Sequence, residues 1–155
     1  MSNGLERFLA RARERGVEIT PTRFPEGTRT ADDAARAIGC DVAQIVKSLV
    51  FTADDAPVLV LTSGANRVDE ARVAAHLDAR HVRKATADEV RTATGYAIGG
   101  TPPFGHDTAL RVLCDADLTA HAEVWAAAGS ADTVFPLAPG RLVELAGAEV
   151  AEVAA

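Results

Sequence analysis

The residues best placed to do chemistry begin with Lys47, in the stretch QIVKSLVF. On a strand, Ile45, Lys47 and Leu49 share one face, so this ammonium stands among apolar neighbours. Such a cation either snorkels to water at a sheet edge or binds a phosphate or polarised oxygen in a pocket. The second feature is the stretch AIGGTPPFGH, Ala97 to His106. Its glycines, Gly99, Gly100 and Gly105, permit φ > 0 and close approach of a ligand to the backbone. Pro102 and Pro103 fix φ and remove donors, which holds a loop in one shape. Bare amides on a rigid loop suit a carbonyl that must be held still or a developing oxyanion. A tight structural crossover has the same composition. The spacing is neither GxGxxG nor GxxxxGK[ST], so no phosphate loop of those kinds is expected.

Other polar residues read less sharply. His106 is open to three readings: a general base, a ribose contact or a solvated loop histidine. Asn66, Arg67 and Asp69 fall in a loop before a helix, where Asp69 suits the N-cap. Arg67 and Arg29 read as surface charges with phosphate contact as the alternative. Gly129 and Ser130 follow a strand-like VWAAA, but AGSAD is not a GxSxG nucleophile elbow and no triad spacing supports a catalytic serine. Trp125 reads as core.

Composition narrows the classes. Apolar residues make up 48% and charged residues 25% of 155 residues, the profile of one soluble domain. No run approaches a membrane span, and the N-terminus mixes arginines with acids rather than forming a secretory signal, so a cytoplasmic location is expected. Two unrelated cysteines and four scattered histidines give no zinc pattern, so no metal and no cofactor are expected. A net charge of −6 argues against a broad grip on a duplex, and no DNA partner is expected. A small basic pocket for one nucleic-acid end stays open. The cations are fourteen arginines and two lysines, Lys47 and Lys84, which makes each lysine worth a question.

These residues need elements to hold them. Leu5, Phe8, Leu9 and Ala12 recur at helical spacing, predicting a helix over 3–15 that Gly16 stops. Thr30 with Asp33 opens a helix through Ala37, ended by Gly39; Thr86 with Glu89 opens another, closed by Gly95. AQIVKSLVFTA and PVLVLT read as adjacent strands. RHVRKA, TALRVLCDADL, EVWAAAGS and DTVFPLAP read as further strands, followed by a short helix in PGRLVELAG and an edge strand in AEVAEV. The order lacks steady β-α-β alternation. An α+β fold is expected: a single domain over 1–155 with a mixed, mostly antiparallel sheet surrounded by helices.

Taken together, the segments DVAQIVKSLVF, TGYAIGGTPPFG and VWAAAGSADTVFPLAPGRLVEL resemble the YbaK-type aminoacyl-tRNA deacylases, whose domain is also the editing insertion of bacterial prolyl-tRNA synthetases. The resemblance runs from about Thr28 to Val153, leaving 1–27 as an N-terminal helix and extension. Lys47 falls at the family's lysine, Gly99, Gly100, Pro103 and Gly105 at its loop, and Gly129 at its later glycine. The resemblance implies hydrolysis of the ester between a wrong amino acid and the terminal adenosine of tRNA. Lys47, Gly99 and Gly100 would then be catalytic. Thr101, Pro102, Pro103, Phe104, Gly105, His106, Asn66 and Gly129 would contact substrate. The implied partner is the tRNA acceptor end, tRNA(Pro) first, with an aminoacyl-tRNA synthetase as a further candidate; alanine or cysteine would be the amino acid removed. Phe104-Gly105-His106 departs from the cysteine-specific forms, and 125–135 lacks the His-Pro and Asn features of the alanine-specific form. Two alternatives remain: a non-catalytic module for aminoacyl-tRNA ends or a synthetase, and a hydrolase of another small ester or amide.

Overall fold

A computed structural model describes residues 4–28 and 30–155. Arg29, a candidate phosphate contact, and the start of the first expected helix lie outside the described residues. Among the described residues five helices and eight strands follow one another: α1 (Gly4–Glu14), β1 (Thr22–Arg23), α2 (Ala31–Ile38), β2 (Val46–Ala53), β3 (Ala56–Ser63), α3 (Glu70–Leu77), β4 (Val82–Lys84), α4 (Ala87–Thr94), β5 (Arg111–Asp115), β6 (Val124–Ala127), β7 (Thr133–Leu137), α5 (Pro139–Ala146) and β8 (Ala148–Ala151). Short 3-10 turns sit at Val42–Gln44 and Ala116–Ala120. The expected α+β class holds, with the strands divided between two sheets. One is antiparallel, in the order β1-β7-β6; the other is mixed, in the order β4-β2-β3-β5-β8.

Local chemistry sets most boundaries. The Thr30 hydroxyl accepts from the Asp33 N–H, and Gly39, at φ 85°, ends α2. At α4 the capping box is complete: Thr86 Oγ1 accepts from the Glu89 N–H, and the Glu89 carboxylate accepts from the Thr86 N–H. Asp69 caps α3 by accepting from Ala71 and Arg72. The hairpin from β2 to β3 turns at Asp54 and Asp55, both with positive φ, as a two-residue hairpin turn requires.

Side chains of β3 alternate between two apolar layers. Leu59 and Leu61 join a core with Val46, Val50, Phe8 and Phe135, while Val58 and Val60 join a second with Phe51 and Val73. Burial of both faces explains the unbroken apolar run in PVLVLT. Helix α1 belongs to the larger core, with Phe8 and Ala12 buried. No helix among the described residues is long and apolar enough to cross a membrane.

One detail of this topology creates the site. Strand β4 pairs with β2 only at Phe51, Thr52 and Ala53. At the other end of β2, Ile45 bridges Trp125 of β6, which ties the two sheets together. Between these attachments the outer edge of β2 pairs with no strand among the described residues.

Candidate functional site

A cavity of about 460 Å³ lies along that open edge. Its walls come from β2 (Val46 to Val50), the ends of α2 and β4, strand β6 with Trp125, and the start of the glycine-proline loop with Ile98, Gly99 and Thr101. The volume lies in the range that holds a drug-sized ligand, ~300–1,000 Å³.

Lys47 is half-buried in this wall, and its Nζ donates to the Asn66 backbone carbonyl at 2.5 Å. Burial pushes the pKa of the ammonium down; repulsion from Lys84 and Arg67 adds to this, and Asp115 opposes it. Asn66 does not line the cavity. Its side-chain amide donates to Asp115 Oδ2 and Asp117 Oδ2, both at 2.8 Å. Asp115 is 1% exposed and also accepts from the Ser63 and Asp117 N–H groups. A buried carboxylate therefore fixes Asn66, and the Asn66 carbonyl fixes Lys47.

The loop enters through a turn at Ala97–Gly100. The Gly100 N–H donates to the Ala97 carbonyl at 3.1 Å, and Gly99 has φ 91°. Positive φ at the third position alone is a type II turn, which explains the glycine there. A Cβ on Gly99 would meet nothing within 4 Å, so this residue faces open space. Gly100 has a different reason: a Cβ there would lie 2.9 Å from the Ser130 Cα, so its glycine permits backbone packing. The Gly100 amide is also already used in the turn and is not a bare donor. Among the described residues, the Gly99 and Thr101 N–H groups have no protein acceptor.

The rest of the loop turns away from the cavity. Pro102, Pro103 and Phe104 are buried, with Phe104 edge-on to Phe8 of α1 at 5.0 Å between ring centres. The Gly105 carbonyl accepts from Arg11 Nη1 and from the Tyr96 hydroxyl, both at 2.8 Å. His106 donates from Nε2 to the Pro102 carbonyl at 2.7 Å, since a carbonyl can only accept. Burial, with Arg11 and Arg15 nearby, pushes the His106 pKa down. None of Phe104, Gly105 and His106 reaches the cavity; they line a separate surface hollow with Arg11 and Asp107. Gly129 lies behind the site, where a Cβ would be 2.3 Å from the Gly4 carbonyl oxygen. Of the residues singled out from sequence, the fold thus brings Lys47, Gly99 and Thr101 to one cavity. It places Asn66, Gly100 and Gly129 in support, and Pro102 to His106 on the far side of the loop.

Sequence reasoning missed several wall residues. Trp125 reads as core but lines the cavity, because β6 is the outer strand of its sheet and bridges the chain before β2 at Ile45. Lys84 also lines it, and its only signal was the rarity of lysine in this chain. Ser48 left no signal. The Ala85 N–H bonds the Val50 carbonyl, so the alternation of the strand turns the Ser48 backbone groups to the same open edge. The Ser48 hydroxyl is buried without a partner among the described residues.

No Asp or Glu is among the described residues of the wall, although the chain carries 22 acids. No histidine is among the described wall residues either. The arrangement offers a fixed cation, free amides and an apolar lining. That set can hold and polarise an already activated carbonyl.

Comparison with known proteins places the chain in a family. The proline–tRNA ligase of Lactobacillus gasseri is 38% identical over 102 residues, which are 66% of this chain and 18% of the ligase. That of Lactobacillus helveticus is 31% identical over 122 residues, 79% of this chain and 21% of the ligase. The chain thus spans about a fifth of the length of these curated relatives. A crystal structure described as "a putative trans-editing enzyme for prolyl tRNA synthetase" superposes with a TM-score of 0.94 at 41% identity, covering 100% of this chain and 99% of the other. The family model for the aminoacyl-tRNA editing domain matches residues 25–145, so the chain belongs to the aminoacyl-tRNA editing domain family.

Proposed function

We propose that this protein is a free-standing deacylase that removes a wrong, small amino acid from tRNA, with tRNA(Pro) as the carrier and alanine or cysteine as the amino acid. The observation that carries the reading is the meeting of Lys47 with Gly99 and Thr101 in one cavity that holds no acidic wall residue among the described residues. The terminal adenosine and its ester occupy the cavity. Lys47, held by the Asn66 carbonyl, takes the ester end of the nucleotide. The Gly99 and Thr101 amides hold the aminoacyl carbonyl and the negative charge that grows on its oxygen. Water attacks the carbonyl carbon, or the hydroxyl or thiol of the substrate does so and water then opens the acyl product; the bond to the ribose oxygen breaks, and that oxygen takes the proton that the nucleophile gives up. An aminoacyl ester is activated enough for positioning and charge stabilisation to suffice.

The need for such an activity is physical. A binding pocket rejects a substrate smaller by one methylene by only about 1–3 kcal/mol, so a second pocket that admits the smaller side chain removes the errors. The same acidic net charge that speaks against duplex binding fits a protein that holds only an acceptor end.

The test is deacylation of tRNA(Pro) carrying proline, alanine, cysteine, serine or threonine, beside a Lys47→Ala variant. Hydrolysis of one or more of the non-cognate esters with proline spared, lost in the variant, supports the reading. No hydrolysis of any of them overturns it.

A further inference from the structure

We infer that Lys84 is a phosphate-binding residue of this cavity, taking the phosphodiester on the 5′ side of the terminal adenosine, a role distinct from that of Lys47. The inference rests on the nucleotide-end reading of the site proposed above.

The register of the sheet sets the geometry. Lys84 pairs with Phe51 across β2 and β4, so the two side chains rise from the same face. Lys47 lies on that face too, four residues earlier on β2. Four residues of strand span roughly 13 Å. Two flexible four-carbon stems can close that span to the size of one nucleotide. Both lysines of the chain thus stand over one face at the open edge of β2, and both line the cavity.

Their surroundings differ. Lys47 is half-buried and tied to the Asn66 carbonyl. Lys84 is exposed at the rim, and among the described residues its ammonium has no hydrogen-bond or ion-pair partner. The adjacent cation is accounted for: Arg83, paired with Thr52 and so on the opposite face, is clamped by both Glu89 carboxylate oxygens at 2.8 and 2.9 Å. The same cavity is lined by Ile98, a large apolar side chain 60% exposed. Two cations therefore share one cavity whose described wall holds no acid, in a chain of net charge −6. Their mutual repulsion is felt at Lys47. An anionic ligand relieves it, and a flexible, unpaired ammonium at the mouth suits a phosphate better than it suits a neutral ester.

The test is binding rather than turnover. The probes are the dinucleotide CpA, which carries the phosphodiester 5′ of adenosine, and adenosine, which lacks it. Affinities are measured by calorimetry or amide shifts for the wild type, Lys84→Gln and Arg83→Gln. Wild type is expected to prefer CpA over adenosine by about tenfold, as one charge-assisted contact would give. Lys84→Gln is expected to abolish the preference and leave adenosine binding unchanged, while Arg83→Gln keeps the preference. Equal preference in Lys84→Gln and wild type, equal loss in both variants, or no CpA binding by the wild type overturns the inference. A Lys84-dependent preference in a protein that deacylates no aminoacyl-tRNA would sustain the phosphate site and refute the hydrolase reading, so the two fail separately.

Discussion

The ammonium of Lys47 and the backbone carbonyl of Asn66 meet at 2.5 Å, and Asn66 is in turn held by the buried Asp115. A flexible side chain has become a fixed charge, because the carbonyl that orients it is anchored to a carboxylate inside the protein. A cation that does not have to reorganise stabilises developing charge more effectively than a mobile one.

Lys47→Ala is expected to lower kcat for deacylation by ~10²–10³, the scale seen when one preorganised electrostatic group is removed. Lys47→Arg is expected to restore little, since a planar fork does not reproduce a point charge held by one carbonyl. Single-turnover deacylation, with thermal unfolding to verify the fold, checks both. Activity of the alanine variant within twofold of the wild type would remove Lys47 from the mechanism.

The two neighbouring glycines are expected to fail in different ways. Gly99→Ala meets open space but forces an L-residue to φ 91°, a local strain of roughly 1–2 kcal/mol placed on the turn that enters the cavity. Gly100→Ala drives a Cβ to 2.9 Å from the Ser130 Cα, a backbone atom with little room to yield. Activity should suffer more than stability in the first variant, and stability more than activity in the second. Melting temperatures and deacylation rates measured side by side decide it; the reverse pattern would contradict the assigned roles.

His106 should make the loop sensitive to acid. Its pKa is pushed below the ordinary 6.5 in the folded state, so over the interval beneath 6.5 the unfolded chain binds the proton more readily. The stability it contributes is present above about pH 6.5 and is lost as the pH falls toward the folded-state value. His106→Gln keeps a donor for the Pro102 carbonyl but cannot titrate. The fall in melting temperature between about pH 7.5 and pH 5 should be smaller in this variant than in the wild type. Parallel curves would show that His106 does not titrate differently on folding.

Helix α1 is expected to be indispensable. Phe8 is fully buried against Phe104 and Phe135, and Arg11 bonds the Gly105 carbonyl. Phe8→Ala should cost ~3–5 kcal/mol in denaturant unfolding. Tyr96→Phe, which removes one of the two donors to the Gly105 carbonyl, should cost about 1 kcal/mol. A loss below 1 kcal/mol for Phe8→Ala would mean that the helix is peripheral after all.

The division between what was legible in the sequence and what was not follows the range of the forces involved. Capping at Thr30, Asp69 and Thr86 depends on residues a few positions apart, so the sequence alone determined where those helices begin. The alternation in β2 and the apolar run of β3 determined the strands, and the unusual company of Lys47 and the loop at 97–106 marked both as candidates for a site. Only the tertiary structure decided which half of that loop faces a ligand. Gly99 and Thr101 do, whereas Phe104 to His106 face α1, because Phe8, Arg11 and Tyr96 hold that half from positions 9 to 96 residues away. The open edge of β2 was equally illegible. It exists because β4 pairs for three residues and then leaves, and because Trp125 returns from another sheet to close the far end. Pairing register is a property of the assembled sheet, and it made cavity walls of Lys84, marked in the sequence only by the rarity of lysine, and of Trp125, which reads as core.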